Sequence, residues 1–189
     1  MKCFVKCACL AGACMLSAFL VNPAQAAIDP VNNWYFGASG DLTWLRHSDT
    51  GGGGNIALGY KASDFRLEAE AGYHGAGGNN GYNSTHYFSY MGNLYYDFNR
   101  LFPASSSGWQ IVPYIGGGLG DAETHYGNSS FSTTFHHHSN QFAYEGMTGL
   151  NFASASAPNT DWYLGYRYLG THNPNLDSNS AELGVRFHF

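Results

Sequence analysis

The chain has 189 residues with 13 Asp and Glu against 8 Lys and Arg, and its aromatic share, 16%, exceeds its charged share, 11%. The acidic balance argues against nucleic acid as a partner. Mean hydropathy is negative, and no run beyond the N-terminal leader approaches the roughly 18–20 apolar residues of a helical span; a transmembrane barrel, half of whose positions are polar, escapes that test.

Residues 1–26 read as a cleaved signal peptide. Lys2 and Lys6 make a positive start, 10–21 is apolar but too short to span, and Ala24-Gln25-Ala26 is a small-x-small cleavage site. An uncleaved anchor is disfavoured because the apolar run breaks at Asn22-Pro23. Cys3, Cys7, Cys9 and Cys14 all lie inside this leader, and Ala11-Gly12-Ala13 lacks the large aliphatic residue that lipidation at Cys14 needs. Cleavage leaves 163 residues, 27–189, as one domain without disulfides or cysteine metal sites. Six basic groups then face 13 acidic ones, a formal charge of −7.

Side chains alternate with the period of two that marks a strand. Residues 34–46 set Trp34, Phe36, Leu42 and Trp44 against Tyr35, Ser39, Asp41 and Thr43. Residues 47–54, with four consecutive glycines, read as a loop. Residues 55–62 resume with Ile56, Leu58 and Tyr60, and a turn follows at Ser63-Asp64. Residues 65–74 oppose Phe65, Leu67, Ala69 and Tyr73 to Arg66, Glu68, Glu70 and His74. After a Gly/Asn-rich loop at 75–84, residues 85–98 set Phe88, Tyr90, Leu94, Tyr96 and Phe98 against Ser89, Asn93 and Asp97. Residues 99–108 connect to 109–120, where Ile111, Ile115 and Leu119 oppose Gln110 and Tyr114. Residues 121–141 are the longest irregular stretch, and 142–152 place Phe142, Tyr144, Leu150 and Phe152 opposite Glu145 and Asn151. A connection at 153–161 leads to 162–169, with Trp162, Leu164, Tyr166 and Tyr168 opposite Arg167. A loop at 170–179 precedes the last strand, whose Leu183, Val185, Phe187 and Phe189 oppose Glu182, Arg186 and His188. The expectation is an all-β, eight-stranded antiparallel up-and-down transmembrane barrel with a polar lumen and four extracellular loops.

A soluble lipocalin-like barrel would alternate in the same way. Three observations favour the membrane. The oily face carries almost no charge, and Lys61 is the sole lysine after the leader. Trp34, Tyr60, Phe65, Phe98, Trp109, Phe152, Trp162 and Phe189 begin odd strands or end even ones, which gathers the aromatics at one rim as a girdle for a membrane interface. The longest polar connections fall at the other rim, as extracellular loops do.

The strands 113–120, 164–169 and 182–189 are similar to those of the OmpA-like, opacity-type outer-membrane barrel family. That resemblance implies a monomeric eight-stranded barrel in the outer membrane of a Gram-negative bacterium, serving envelope integrity, adhesion or surface recognition. The terminal Phe189 resembles the strand endings associated with the barrel-assembly machinery. Outer-membrane lipid, lipopolysaccharide and a host or surface ligand of the loops complete the expected partners, and no cofactor is expected.

Candidate chemistry divides between lumen and loops. Arg66, Glu68, Glu70, Asp97, Glu145, Arg167, Glu182 and Arg186 would point into a lumen that eight strands just fill, so an acid–arginine network is expected, with an ion-conducting pore as the alternative. His136, His137 and His138 could bind a transition metal weakly, although adjacent residues on an extended segment point apart. The element His137-His138-Ser139-Asn140 is similar to that of outer-membrane lipid A 3-O-deacylases. It implies Ser139 as nucleophile, His137 as base and Glu145 as the orienting acid of a hydrolase, against a non-enzymatic reading in which the loops display polar residues for recognition.

Overall fold

The computed structural model describes residues 33–45, 50–76, 84–99, 108–127, 139–171 and 177–189. The leader at 1–26 lies outside them. The described residues form eight strands: β1 (Trp34–Leu45), β2 (Thr50–Ala62), β3 (Phe65–Ala76), β4 (Ser84–Asp97), β5 (Trp109–Gly127), β6 (Ser139–Ser154), β7 (Ala157–Thr171) and β8 (Ser178–His188). Each is antiparallel to the next, and β8 returns to β1 to close a barrel in the expected strand order. Phe189 N–H donates to the Trp34 carbonyl at 3.0 Å and fastens the seam at its lower end.

Burial is inverted relative to a water-soluble protein. Leu67 is 62% exposed and Leu119 61%, while Arg66, Asp97 and Glu182 are each 2–3% exposed. A broad apolar exterior around a charged interior is stable only where the outside is hydrocarbon, so the alternation belongs to a membrane barrel.

Three sequence boundaries are corrected. Gly51–54 are not a loop: they lie in β2, paired with Gly40, Asp41, Leu42 and Thr43 of β1. At Gly53 a side chain is excluded, since a Cβ there would collide with the His74 ring. The irregular stretch at 121–141 shrinks, because β5 continues to Gly127 and β6 already begins at Ser139. Backbone pairing with β4 as far as Ser84↔Gly127 extends β5 despite its polar sequence. Finally, 153–161 is no extended connection: Ala155-Ser156 turns directly into β7, with a register shift at Ala153/Ser154.

The lower rim therefore holds two two-residue turns, at Ser63-Asp64 and Ala155-Ser156, and is the periplasmic side by the rule of short inner turns. Ser63 adopts φ 55°, the left-handed value that a tight hairpin turn needs. The four upper-rim connections lie between described strands, outside the described residues themselves.

Candidate functional site

Because side chains alternate, every second residue of each strand converges on the axis, and the lumen fills in layers. In the lower layer Arg66 of β3 donates through Nε to Asp97 Oδ2 at 2.7 Å and through Nη1 to Glu68 Oε1 at 2.9 Å. Arg186 of β8 lies 3.4 Å from Glu68 Oε1 across the tube and donates to Asn151 Oδ1 at 2.9 Å. Asn151 in turn donates to Asp97 Oδ1 at 3.1 Å, and Tyr35 Oη donates to Glu68 Oε1 at 2.5 Å. Tyrosine rings cover the two guanidiniums: Arg66 sits 4.5 Å from the Tyr95 ring centre, and Arg186 sits 3.9 Å from that of Tyr163. Two cations thus meet two carboxylates in a ring of aromatic faces.

The middle layer is organised differently. Arg167 of β7 forms a two-pronged pair with Glu70 of β3 on the far wall, one prong Nη2 to Oε2 at 2.8 Å and the other Nη1 to Oε1. Its Nη1 also reaches Glu145 Oε2 of β6 at 3.0 Å, and its Nη2 reaches Glu182 Oε2 of β8 at 3.0 Å. One guanidinium joins four strands, its planar fork supplying the geometry. Above it, Asp41 of β1 lies 3.2 Å from His74 Nδ1, accepts from Thr43 Oγ1 at 2.5 Å and is approached by Asn55 Nδ2 at 3.4 Å. The His74 ring stacks on Tyr87 at 4.7 Å.

All eight residues expected in the lumen network are brought together there. Sequence reasoning did not include Asp41 and His74 in it, although their parity points them inward, nor the tyrosines Tyr35, Tyr95, Tyr114 and Tyr163. The tyrosines are traceable in retrospect to glycines: a Cβ on Gly59 would strike Tyr35, one on Gly116 Tyr95, and one on Gly184 Tyr163. At the lower mouth a cavity of about 20 Å³, bordered by Lys61, Arg66, Asp161 and Arg186, has room for about one water.

On the outside, Trp34, Phe65, Trp109, Trp162 and Phe189 are half or more exposed and Tyr60 37%, whereas Phe98 and Phe152 are only partly exposed. The expected gathering of aromatics at one rim needs correction. Trp44, Tyr73, Tyr90, Phe142, Tyr144 and Tyr166 are also exposed, near the upper rim. Amphipathic rings favour both membrane interfaces, which accounts for a second ring.

The hydrolase constellation is not assembled by the described residues. Ser139 opens β6 opposite Thr124, six residues before Glu145 on the same strand, a distance of about 20 Å. Glu145 is occupied by Arg167 inside the lumen. His136, His137 and His138 lie outside the described residues, and among the described residues no group of three or more His, Cys, Asp or Glu is arranged to hold a metal.

A family model described as "Outer membrane protein beta-barrel domain" matches residues 11–189. Among solved structures, the Neisserial surface protein A is similar with 21% identity and a TM-score of 0.62, over 82% of this chain and 97% of that one. Ail, the attachment invasion locus protein of Yersinia pestis, is similar with 15% identity and a TM-score of 0.49, over 85% and 99%. The outer membrane enzyme PagL is similar with 19% identity and a TM-score of 0.47, over 81% and 99%. These likenesses speak to fold alone, and no curated protein matches the chain.

Proposed function

Because the chain belongs to the outer membrane protein beta-barrel domain family and lies in the bacterial outer membrane, we propose that it is a non-enzymatic barrel that stiffens the envelope and presents its upper loops for adhesion or recognition. The observation that carries this reading is the filled lumen. Arg167 ties β3, β6, β7 and β8 together, the layer below it is closed by Arg66 and Arg186, and the cavity at the mouth has room for about one water. A tube crossed by buried ion pairs favours rigidity over conduction, and the acid proposed for a hydrolytic triad is spent on an internal bond. Activity is then left to the upper rim and to the lipid face. The partners in this reading are outer-membrane lipid, lipopolysaccharide, the assembly machinery acting on β8, and a surface ligand of the loops; the barrel acts as a monomer.

Gene deletion with plasmid complementation tests it. Loss of detergent resistance or of adhesion, restored by the wild-type chain, supports the role; unchanged cells with altered lipid A acylation that depends on Ser139 overturn it in favour of a hydrolase. Protease shaving of whole cells should cut within 46–49, 77–83, 128–138 or 172–176, and a cut confined to 100–107 inverts the topology. Planar bilayers should stay silent, since discrete conductance steps would mean an open lumen.

A further inference from the structure

The barrel holds two populations of glycine, and they differ in what surrounds them. The inward glycines Gly59, Gly116, Gly118 and Gly184 are enforced, since a Cβ on any of them would run into a lumen side chain. Outward glycines at the β4–β6 wall are not. A Cβ on Gly117 would meet nothing nearer than the Glu145 carbonyl at 3.6 Å, one on Gly92 nothing nearer than 3.8 Å, and one on Gly146 nothing within 4 Å. Gly117 pairs with Leu94 on one side and with Gly146 on the other, between the exposed Ile115 and Leu119 of its own strand. A glycine inside a strand weakens it and often marks the close approach of a ligand or another backbone. At this place the outer surface is hollowed: a notch of about 230 Å³ is bounded by Phe65, Leu94, Tyr96 and Ile115, with Gly116 and Gly117 as its floor. Tyr95 backs that floor from inside the lumen.

We infer that this notch seats one acyl chain of a phospholipid in the periplasmic leaflet. Its lower border is the Phe65–Tyr96 edge-to-face pair, ring centres 5.1 Å apart, beside the Ser63-Asp64 turn at the periplasmic rim. The notch opens onto the apolar band that faces the bilayer, so hydrocarbon is the medium that meets it. A second barrel is the competing occupant. A stable protein interface buries about 800 Å² per partner, whereas seven residues line this notch, two of them glycines. A single flexible chain enters where a wall cannot.

The test uses the full barrel in nanodiscs containing a phospholipid with a photoactivatable diazirine in its acyl chain, with adducts mapped by mass spectrometry. Labelling of Leu94, Tyr96 and Ile115 should exceed that of Leu183 and Val185 on β8 by about fivefold, the enrichment that roughly 1 kcal/mol of preference gives. Gly117→Leu should fill the hollow and bring labelling down to the β8 level, while Gly40→Leu on β1, where a Cβ also has room, should leave it unchanged. Heat-modifiable migration checks that each variant folds, and Gly117→Val, at the same notch-lining position, replaces Gly117→Leu should the latter not fold. Uniform labelling around the wild-type barrel overturns the inference, as does labelling insensitive to the filling variant. A dimer in native mass spectrometry that Gly117→Leu abolishes overturns it in favour of a second copy.

Discussion

The lower and middle layers of the lumen use the same residue types to opposite designs. Below, Arg66 and Arg186 share Glu68, Asp97, Asn151 and Tyr35, so each charged group has more than one partner and the formal charge cancels. In the middle a single guanidinium serves Glu70, Glu145 and Glu182. The lower layer spreads its bonds over several strands and adds tyrosine faces. The middle layer concentrates them on one side chain, so it is strong while intact and fails at one point.

The comparison can be broken most sharply at Arg167. Arg167→Met leaves three buried carboxylates without their cation and should cost about 3–5 kcal/mol, read as a lower urea midpoint in phospholipid vesicles and loss of the heat-stable band. Arg186→Met should cost less, about 2–3 kcal/mol, from the lost contact with the Tyr163 face and the stranded Asn151 acceptor, because Glu68 keeps Arg66 and Tyr35. Equal losses at the two positions would refute the contrast between shared and concentrated bonding.

Smaller effects sharpen it. Gly118→Ala pushes a methyl into Asn93 and towards Glu145 and should cost about 1–3 kcal/mol, whereas Gly117→Ala, facing outward with room, should gain up to about 1 kcal/mol. Glu145→Gln should change the unfolding free energy from urea titration by less than about 1 kcal/mol, since it loses part of one bond to Arg167 but removes one of three like charges. A large loss there would mean that Arg167 depends on all three glutamates.

How far the chain announces this design follows from the periodicity of its parts. Where a strand is half apolar, as in Phe65–Ala76, alternation assigns both faces, so Arg66, Glu68 and Glu70 were legible as lumen residues. The reading fails where alternation disappears. Gly51–54 carry no side chains to alternate, and their membership of β2 is decided by pairing with β1. The polar end of β5 is likewise held by β4, not by its own pattern. Partner choice was also hidden. Parity sends Arg167 and Glu70 inward, but their meeting across the tube depends on how the strands are staggered around the closed sheet. The hydrolase element has a related limit: four consecutive residues resemble a motif, while strand register places Ser139 six residues from Glu145 along β6.

The seam between β1 and β8 has a kinetic consequence. It joins Tyr35 to His188, near the two ends of the folded chain, so its loop-closure entropy is met only when the last strand arrives. Arg186 and Glu182 ride on that strand, and their bonds to Glu68 and Arg167 form with closure or after it. Interactions made after the rate-limiting step do not hasten folding; they slow its reversal. The two ion pairs that β8 brings, Arg186 to Glu68 and Glu182 to Arg167, are therefore placed to act as a latch on that seam.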